Sequence, residues 1–183
     1  MNSFRVATDG NGGLRVMWED SERIFCRGWR PTSAYDEKRA VLIVLPVGER
    51  PSPASLDRLA HEYELKDELD GAWAARPSEL VREGGRTMLV LEDWGGEPLA
   101  RLLGAPMEVG SFLRLAIGIA GALGKAHQRG LVHKDIKPAH ILVNCADGQV
   151  RLTGFGIASR LPRERQTPAP PESIVGTLAY IAP

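Results

Sequence analysis

The sequence is short of several features that would direct it to a special class of protein. Its two cysteines, Cys26 and Cys145, are too few for a disulfide framework or a cysteine metal cluster, which fits a reducing compartment. Basic and acidic residues both number 23, so net charge gives no indication of nucleic acid or a membrane surface as a partner. The first residues lack the apolar core of a signal peptide, and the longest uncharged helical run, 115–124, is far below the roughly 20 residues that span a bilayer. These absences predict a cytoplasmic protein that binds neither nucleic acid nor membranes.

The stretch 130–144 is the most informative part of the chain. It follows a helical pattern and holds, in order, His133, Asp135, Lys137, Pro138 and His140. This order resembles the catalytic loop of protein kinases, His-Arg-Asp-Leu-Lys-Pro-x-Asn, with His140 in the place of the Asn. The resemblance implies that Asp135 orients or deprotonates the acceptor hydroxyl and that Lys137 steadies the transferred phosphate. It also implies a supporting structural role for His133.

Two further motifs follow in the order that the kinase family has them. Residues 154–156, Gly-Phe-Gly, stand where the family has Asp-Phe-Gly, and residues 176–183 resemble Gly-Thr-x-x-Tyr-x-Ala-Pro-Glu. In the family the threonine of this last motif, here Thr177, contacts the catalytic Asp and Lys. The chain therefore resembles a eukaryotic-type Ser/Thr protein kinase domain that stops within its larger lobe. Its run 151–165 is similar to the degenerate kinase-like domain at the N-terminus of bacterial multidomain sensor histidine kinases.

The resemblance implies an α+β, two-lobed protein-kinase-like fold. The small N-lobe is expected to be rich in β-strands with one helix, and the helical C-lobe is expected to be incomplete. The implied boundaries are 1–93 for the N-lobe, 94–98 for the hinge and 99–183 for the partial C-lobe. The activation segment is expected at 154–183.

Hydrophobic patterning predicts elements that agree with this organisation. Strands are expected at 14–18, 23–26, 40–45, 87–93, 141–143 and 150–152, a turn at 9–13, and helices that begin at Ser52-Pro53 and cover 111–129. The second helix carries Gly118, Gly121 and Gly124, whose spacing predicts a face on which another backbone packs closely.

The nucleotide-binding part of the resemblance is damaged. No Gly-x-Gly-x-x-Gly spacing precedes the first buried strand, and Val44 stands where the family has the lysine that holds the α- and β-phosphates. Glu62 falls where the family has the glutamate that pairs with this lysine. With the lysine missing, we favour a solvated helix pair between Glu62 and Lys66. Gly154 replaces one magnesium ligand of the family, and His140 replaces the other.

Leu91, Glu92 and Asp93 end an apolar strand before Trp-Gly-Gly, a pattern that resembles the kinase hinge. The resemblance implies that these three residues border the nucleotide pocket, with ATP as cofactor and magnesium as its companion ion, although the magnesium ligands are degraded. No transition-metal site is assigned, because no second His or Cys lies at ligand spacing from His140.

Three hypotheses of function follow. We favour a catalytically impaired Ser/Thr kinase-like domain that acts as a regulatory or docking module in signal transduction, with a protein partner or downstream signalling domains of a larger protein. The second hypothesis is an active ATP-dependent Ser/Thr protein kinase with Asp135 as base. The third, a small-molecule phosphotransferase, is disfavoured by the Lys137-Pro138 pair and by the motif at 176–183.

Overall fold

The structure is a computed structural model that describes residues 5–6, 16–31, 38–161 and 176–181. The turn predicted at 9–13 lies outside the described residues, and so does the part of the predicted activation segment between 162 and 175.

A six-stranded antiparallel sheet forms the first lobe. Its strands are β1 (Arg5–Val6), β2 (Val16–Glu19), β3 (Arg23–Pro31), β4 (Lys38–Pro46), β5 (Pro77–Glu83) and β6 (Arg86–Glu92). Their order is β1-β3-β4-β6-β5, and β2 also pairs with β3. Residues 41–45 of strand β4 are all apolar, as expected for a strand covered on both faces, and each is at most 7% exposed.

Alternate residues of the central strands point to opposite faces of this sheet. Leu42 and Val44 of β4 pack with Phe25 of β3 on one face, whereas Ile43 packs with Cys26 on the other. Strand β3 is longer than the predicted 23–26 because it pairs with β4 along its whole length.

Helix α1 (Pro53–Glu64) packs against the first of these faces. Its N-terminus forms as predicted, because the Ser52 Oγ accepts a hydrogen bond from the Ser55 N–H at 3.1 Å and proline occupies the first helical position. Leu59 of α1 is 1% exposed and joins the cluster around Phe25 and Val44. This packing places Glu62, one turn further on, between the two lobes.

The second lobe is built on helix α2 (Val109–Gln128) and short strands. Strands β7 (Glu97–Pro98), β9 (Ile141–Val143) and β10 (Val150–Leu152) form a sheet in the order β10-β9-β7, and β8 (Leu131–Val132) pairs with β11 (Ser159–Arg160). Single 3₁₀ turns lie at Leu99–Arg101, Pro138–His140, Phe155–Ile157 and Leu178–Tyr180. The hairpin predicted at 141–143 and 150–152 is confirmed. The whole arrangement has the α+β, two-lobed form expected from the resemblance.

Helix α2 differs from its prediction in two respects. It begins two residues earlier, because the Glu108 carboxylate caps it by accepting the N–H groups of Gly110 and Ser111, each at 2.8 Å. Among the described residues, only one of the three glycines from which a close-packing face was predicted has a close neighbour. A side chain at Gly118 would meet Val150 at 2.8 Å, but Gly121 and Gly124 face open space.

Much of helix α2 is exposed. Val109, Phe112 and Ile117 are 70%, 58% and 71% exposed. The helix has 20 residues, and an 18-residue window of it has a mean hydropathy of 1.3 and is 11% buried. By length and composition alone it is long and apolar enough to cross a membrane, but the core helix of a soluble domain can have the same length and composition.

Candidate functional site

The loop between β8 and β9 carries His133, whose ring is held on both sides. His133 is 1% exposed, its Nε2–H donates to the Thr153 carbonyl at 2.9 Å, and its Nδ1 accepts the Asp135 N–H at 3.2 Å. The ring also lies 4.5 Å from that of Phe155, centroid to centroid. Burial lowers the pKa of His133 and keeps the ring neutral. The structure therefore places His133 where it fastens the loop to the Gly-Phe-Gly segment.

Asp135, Lys137 and Thr177 form one hydrogen-bonded group. The Thr177 hydroxyl donates to Asp135 Oδ1 at 2.6 Å, and Lys137 Nζ lies 3.3 Å from both Thr177 Oγ1 and Asp135 Oδ2. Burial favours the neutral carboxylic acid, but the Thr177 hydroxyl and the Lys137 ammonium help to outweigh it and hold the pKa of Asp135 below its ordinary value. The structure thus brings together Asp135, which the resemblance assigns to the acceptor hydroxyl, Lys137, which it assigns to the transferred phosphate, and Thr177, which it expects to contact both.

An acidic turn, residues 20–22, joins β2 to β3 and lies over this group. Asp20 Oδ2 is 3.8 Å from Lys137 Nζ, and Glu22 Oε2 is 3.7 Å from it. Lys137 is therefore contacted by carboxylates from both lobes and is only 7% exposed. Sequence reasoning missed this contact. The signal available in the sequence was an acidic segment where a glycine-rich loop was expected, directly before the residue that opens β3.

Glu62 is buried and has a partner, so the predicted solvated pair with Lys66 is wrong. Glu62 is 0% exposed, and its Oε2 accepts Arg23 Nη1 at 2.8 Å. Its Oε1 accepts the Gly154 N–H at 2.7 Å. Burial opposes ionisation of this carboxyl most strongly of all, but Arg23 and the Gly154 amide outweigh it and lower the pKa of Glu62. Lys66 instead donates to the Tyr63 hydroxyl at 3.1 Å.

Arg23 supplies the cation that the sequence showed to be missing from β4. Val44 is apolar and 0% exposed, as the sequence predicts for a buried strand without a lysine. Arg23 opens the neighbouring strand β3 and points to the same sheet face as Phe25, two residues later, which pairs with Val44. The alternation of residues in β3 indicates which sheet face Arg23 points to, but its pairing with Glu62 becomes evident only from the β3–β4 register.

At the position expected for the metal, the His140 ring lies against Gly154 and leaves no room for a side chain there. The His140 Nδ1–H donates to the Asp135 carbonyl at 2.8 Å, and a Cβ added to Gly154 would lie 2.5 Å from His140 Cγ. Gly154 has φ of 86°, the left-handed region that favours glycine. Burial lowers the pKa of His140 to about 3, so the ring is neutral. Its Nε2 is buried and has no hydrogen-bond partner within the described part of the chain.

These residues do not fit a magnesium ion. Magnesium prefers oxygen ligands in octahedral geometry, whereas Gly154 has no side chain and His140 offers one imidazole nitrogen. Among the described residues no group of three or more His, Cys, Asp or Glu side chains is arranged to hold a metal.

Leu91, predicted to border the nucleotide pocket, is fully buried. Leu91 packs with Phe25, Leu42 and Val44 of the sheet and with Leu142 of β9, and each of the five is at most 4% exposed. Asp93 pairs with Arg27 at 2.5 Å and also accepts the Gly95 N–H at 2.8 Å, while Glu92 lies 3.4 Å from Arg39. The predicted hinge residues therefore follow an apolar cluster that includes side chains of both lobes.

Comparisons with known proteins identify the family of the chain. The family profile described as "Protein kinase domain" matches residues 39–183. A probable serine/threonine-protein kinase of Streptomyces coelicolor is 35% identical over 97 residues, which cover 52% of this chain and 14% of the relative. Serine/threonine-protein kinase PknA of Mycobacterium tuberculosis is 37% identical over 110 residues, 58% of this chain and 24% of the relative. CBL-interacting protein kinase 4 of Oryza sativa is 31% identical over 134 residues, 71% of this chain and 27% of the relative. The chain matches about a quarter or less of the length of most of these relatives.

Proposed function

The chain belongs to the protein kinase domain family, and from that premise we propose that it is a kinase-like regulatory or docking module that does not transfer phosphate. The observation that carries the proposal is the contact between His140 and Gly154, since an imidazole ring occupies the space that a metal-binding carboxylate would need. Phosphoryl transfer depends on placed charges rather than on covalent chemistry by the protein. A domain that lacks oxygen ligands at this position has lost the principal means of neutralising the phosphates.

The expected loss is large. Removing one preorganised charge raises a barrier by about 3–4 kcal/mol, which corresponds to a factor of roughly 10²–10³ in rate. The strand lysine and the two metal ligands are all replaced here, and even strongly non-additive effects would leave little activity.

The contacts of Lys137 support this proposal. Thr177 donates to Asp135 Oδ1, as the threonine of this motif is expected to do in any member of the family, so that contact does not separate the candidates. Lys137, in contrast, lies near two carboxylates of the acidic turn, where the family has a glycine-rich loop. An ammonium group that is already paired with carboxylates favours a domain that does not use it to steady a phosphate.

An active ATP-dependent Ser/Thr protein kinase is the second candidate, and Arg23 is the observation that favours it. Its guanidinium contacts Glu62 at 2.8 Å, as the strand lysine of an active member would be expected to contact the helix glutamate. Arg23 could therefore place a positive charge near the phosphates from another strand.

A thermal-shift titration with ATP, with and without magnesium, separates the two candidates. We expect no magnesium-dependent stabilisation by ATP and no transfer of phosphate to a protein substrate. The contrary result would be stabilisation that requires magnesium, together with transfer that disappears in Asp135→Asn and persists in Asp147→Asn. Asp147 is a matched control because it lies in the exposed β9–β10 turn, where it accepts the Gln149 N–H. That result would establish the second candidate.

The partner that we propose is another protein or a signalling domain of the same polypeptide, in the cytoplasm. The balance of 23 basic and 23 acidic residues gives no electrostatic reason to propose nucleic acid or a membrane instead. A pull-down with the 183-residue chain as bait, compared with bait that carries charge-reversing substitutions on its exposed surface, tests this. Retention of nucleic acid or anionic vesicles by the unaltered chain would contradict it.

A further inference from the structure

The acidic turn is held in shape by hydrogen bonds of its backbone and of the Asp20 side chain. Asp20 Oδ1 accepts the N–H groups of Glu22 and Arg23, each at 2.7 Å, and the Asp20 N–H donates to the Arg23 carbonyl at 2.9 Å. The Glu22 carbonyl accepts the Val47 N–H at 3.1 Å. This side-chain cap holds the turn in a single shape and leaves Asp20 Oδ2 directed away from it.

Asp20 Oδ2 is buried and has no hydrogen-bond partner among the described residues. A buried carboxylate oxygen without a partner costs free energy unless a positive charge lies near it. Lys137 Nζ, at 3.8 Å, provides that charge. Glu22 Oε2 approaches the same ammonium group at 3.7 Å, while Asp135 contacts it from the opposite lobe at 3.3 Å.

Helix α1 is part of the same arrangement. Glu22 Oε1 accepts Arg58 Nη1 at 2.5 Å, and Arg23, the next residue, pairs with Glu62 of the same helix. Two adjacent residues therefore tie the turn to α1, while the turn itself is tied to the loop of the second lobe through Lys137.

We propose that the acidic turn is an autoinhibitory contact, an internal anion that holds Lys137 and keeps the cleft between the lobes closed without nucleotide. The inference deepens the proposed function, on which it rests, by naming what occupies the phosphate-steadying lysine. Carboxylate oxygens carry the charge that a phosphate would bring to this lysine. A phosphate can therefore reach Lys137 only by displacing Asp20 and Glu22, and it would meet like charge as it does so.

Chemical reactivity of the Lys137 amine tests this contact directly. An amine held between carboxylates in a closed cleft acetylates slowly, whereas exposed Lys125 of α2 serves as an internal reference in the same sample. In the 183-residue chain without nucleotide, we expect Asp20→Asn with Glu22→Gln to raise the acetylation rate of Lys137 relative to Lys125 by about threefold or more, measured by peptide mass spectrometry. Asn at 20 can still cap the turn through its amide oxygen, so the change removes charge and keeps the backbone shape.

The matched control is Glu19→Gln with Glu49→Gln, which removes two negative charges at exposed positions outside the turn. An unchanged Lys137 rate in the turn variant would overturn the proposal, and so would an equal rise in the control variant. If the turn variant unfolds, all lysines including Lys125 will react faster. The two single variants then decide, because each removes one of the two contacts and is expected to raise the Lys137 rate by a smaller factor.

This experiment is independent of the test of the proposed function. It contains no nucleotide, so a slow Lys137 that is released by the turn variant supports the autoinhibitory contact whether or not the chain later proves to bind ATP. Magnesium-dependent ATP binding by the unaltered chain would contradict the proposed function alone.

Discussion

The two halves of the candidate site differ in how far their residues match the motifs of the family. The acceptor half, formed by His133, Asp135, Lys137 and Thr177, has the residue types expected from its motifs, and their hydrogen bonds connect them. The nucleotide half was expected at Val44, Glu62, His140 and Gly154, and there the structure has different groups in contact. Arg23 pairs with Glu62 where a strand lysine was expected to do so, and the His140 ring lies against Gly154.

The difference shows that a buried charged residue needs partners for the stability of the fold, even at a site where no phosphoryl transfer is expected. Glu62 is 0% exposed, and a buried carboxylate needs a cation and hydrogen-bond donors whether or not a nucleotide binds. Since β4 has Val44 instead of a lysine, the positive charge that pairs with Glu62 has to come from another strand, and Arg23 of β3 supplies it. Asp135 and Lys137 are also buried, and the partners that stabilise their charges are each other, Thr177 and the acidic turn.

Removing Glu62 should have the largest effect on stability. Glu62→Ala leaves the guanidinium of Arg23 buried without a partner and deprives the Gly154 N–H of its acceptor. We expect the free energy of unfolding to fall by about 3–5 kcal/mol, as for other buried pairs from which one partner is removed. Urea denaturation followed by tryptophan fluorescence measures the change.

Two variants sharpen this result. Glu64 lies on the same helix at an exposed position, so Glu64→Ala should change the free energy of unfolding by less than about 0.5 kcal/mol. Arg23→Met combined with Glu62→Leu removes both charges and should be much less destabilising than Glu62→Ala alone. Equal losses in Glu62→Ala and Glu64→Ala would mean that the nucleotide half is not held by this pair.

Filling Gly154 should have the next largest effect. Gly154→Ala forces an L-residue into φ of 86° and places its Cβ 2.5 Å from His140 Cγ, so we expect a loss of about 2–4 kcal/mol in the free energy of unfolding. The loss should be smaller when the substitution is made in a His140→Ala background, since the ring is then absent. A double-mutant cycle by urea denaturation gives the coupling.

Gly121→Ala is the control for the same chemical change. It lies in α2 with nothing within 4 Å of the added Cβ, so it should stabilise the chain by up to about 1 kcal/mol. A Gly154→Ala penalty that is independent of His140 would show that backbone strain, rather than the ring, excludes a side chain there.

Mild acid should destabilise the nucleotide half through His140. Its pKa is lowered by burial from 6.5 to about 3, so the unfolded chain binds a proton first as the pH falls. The stability contributed by the neutral ring is complete above pH 6.5 and is lost progressively down to about pH 3. Between pH 7.5 and 5.5 this amounts to about 1.4 kcal/mol for one histidine. His133, whose pKa is also lowered by burial, adds in the same direction.

The histidine effect is separable from that of the carboxyl groups. Glu62 and Asp135 have lowered pKa values, so their contribution to stability is present above their ordinary values of 4.5 and 3.8 and is lost only below them. Urea denaturation at several pH values above 5 should therefore show a smaller slope in His140→Gln than in the unaltered chain. His127→Gln, at an exposed position of α2, should leave the slope unchanged.

The two halves also differ in how far the sequence predicted them. Asp135, Lys137 and His133 lie within five residues of one another, and a loop brings them together by local geometry alone, so a motif was sufficient. Arg23 and Glu62 are 39 residues apart, and their contact depends on the β3–β4 register and on the packing angle of α1. The sequence correctly predicted a buried strand without a lysine at Val44, but no local pattern predicts which neighbouring strand supplies the charge.

The secondary-structure elements likewise were predicted where the signal is local and missed where it depends on distant parts of the chain. The hairpin β9–β10 was predicted at its observed bounds because its turn pair and its apolar runs are local. The glycine face of α2 was predicted from spacing, yet only Gly118 has a neighbour, because spacing reports which residues share a face and not what lies opposite.

The smallest effect is expected in the acceptor half, at Thr177. Thr177→Val keeps the size of the side chain but removes the hydroxyl that donates to Asp135 Oδ1 at 2.6 Å, and we expect a loss of about 1 kcal/mol or less because the segment 176–181 is largely exposed. The same change should raise the pKa of Asp135, since the hydrogen bond from this hydroxyl helps to stabilise its carboxylate. Carbon-detected NMR titration of Asp135 measures this directly, and Thr177→Ser should restore the lower pKa. A Thr177→Val loss as large as that of Glu62→Ala would remove the distinction between the halves, because it would show that the acceptor half, too, is retained for the fold.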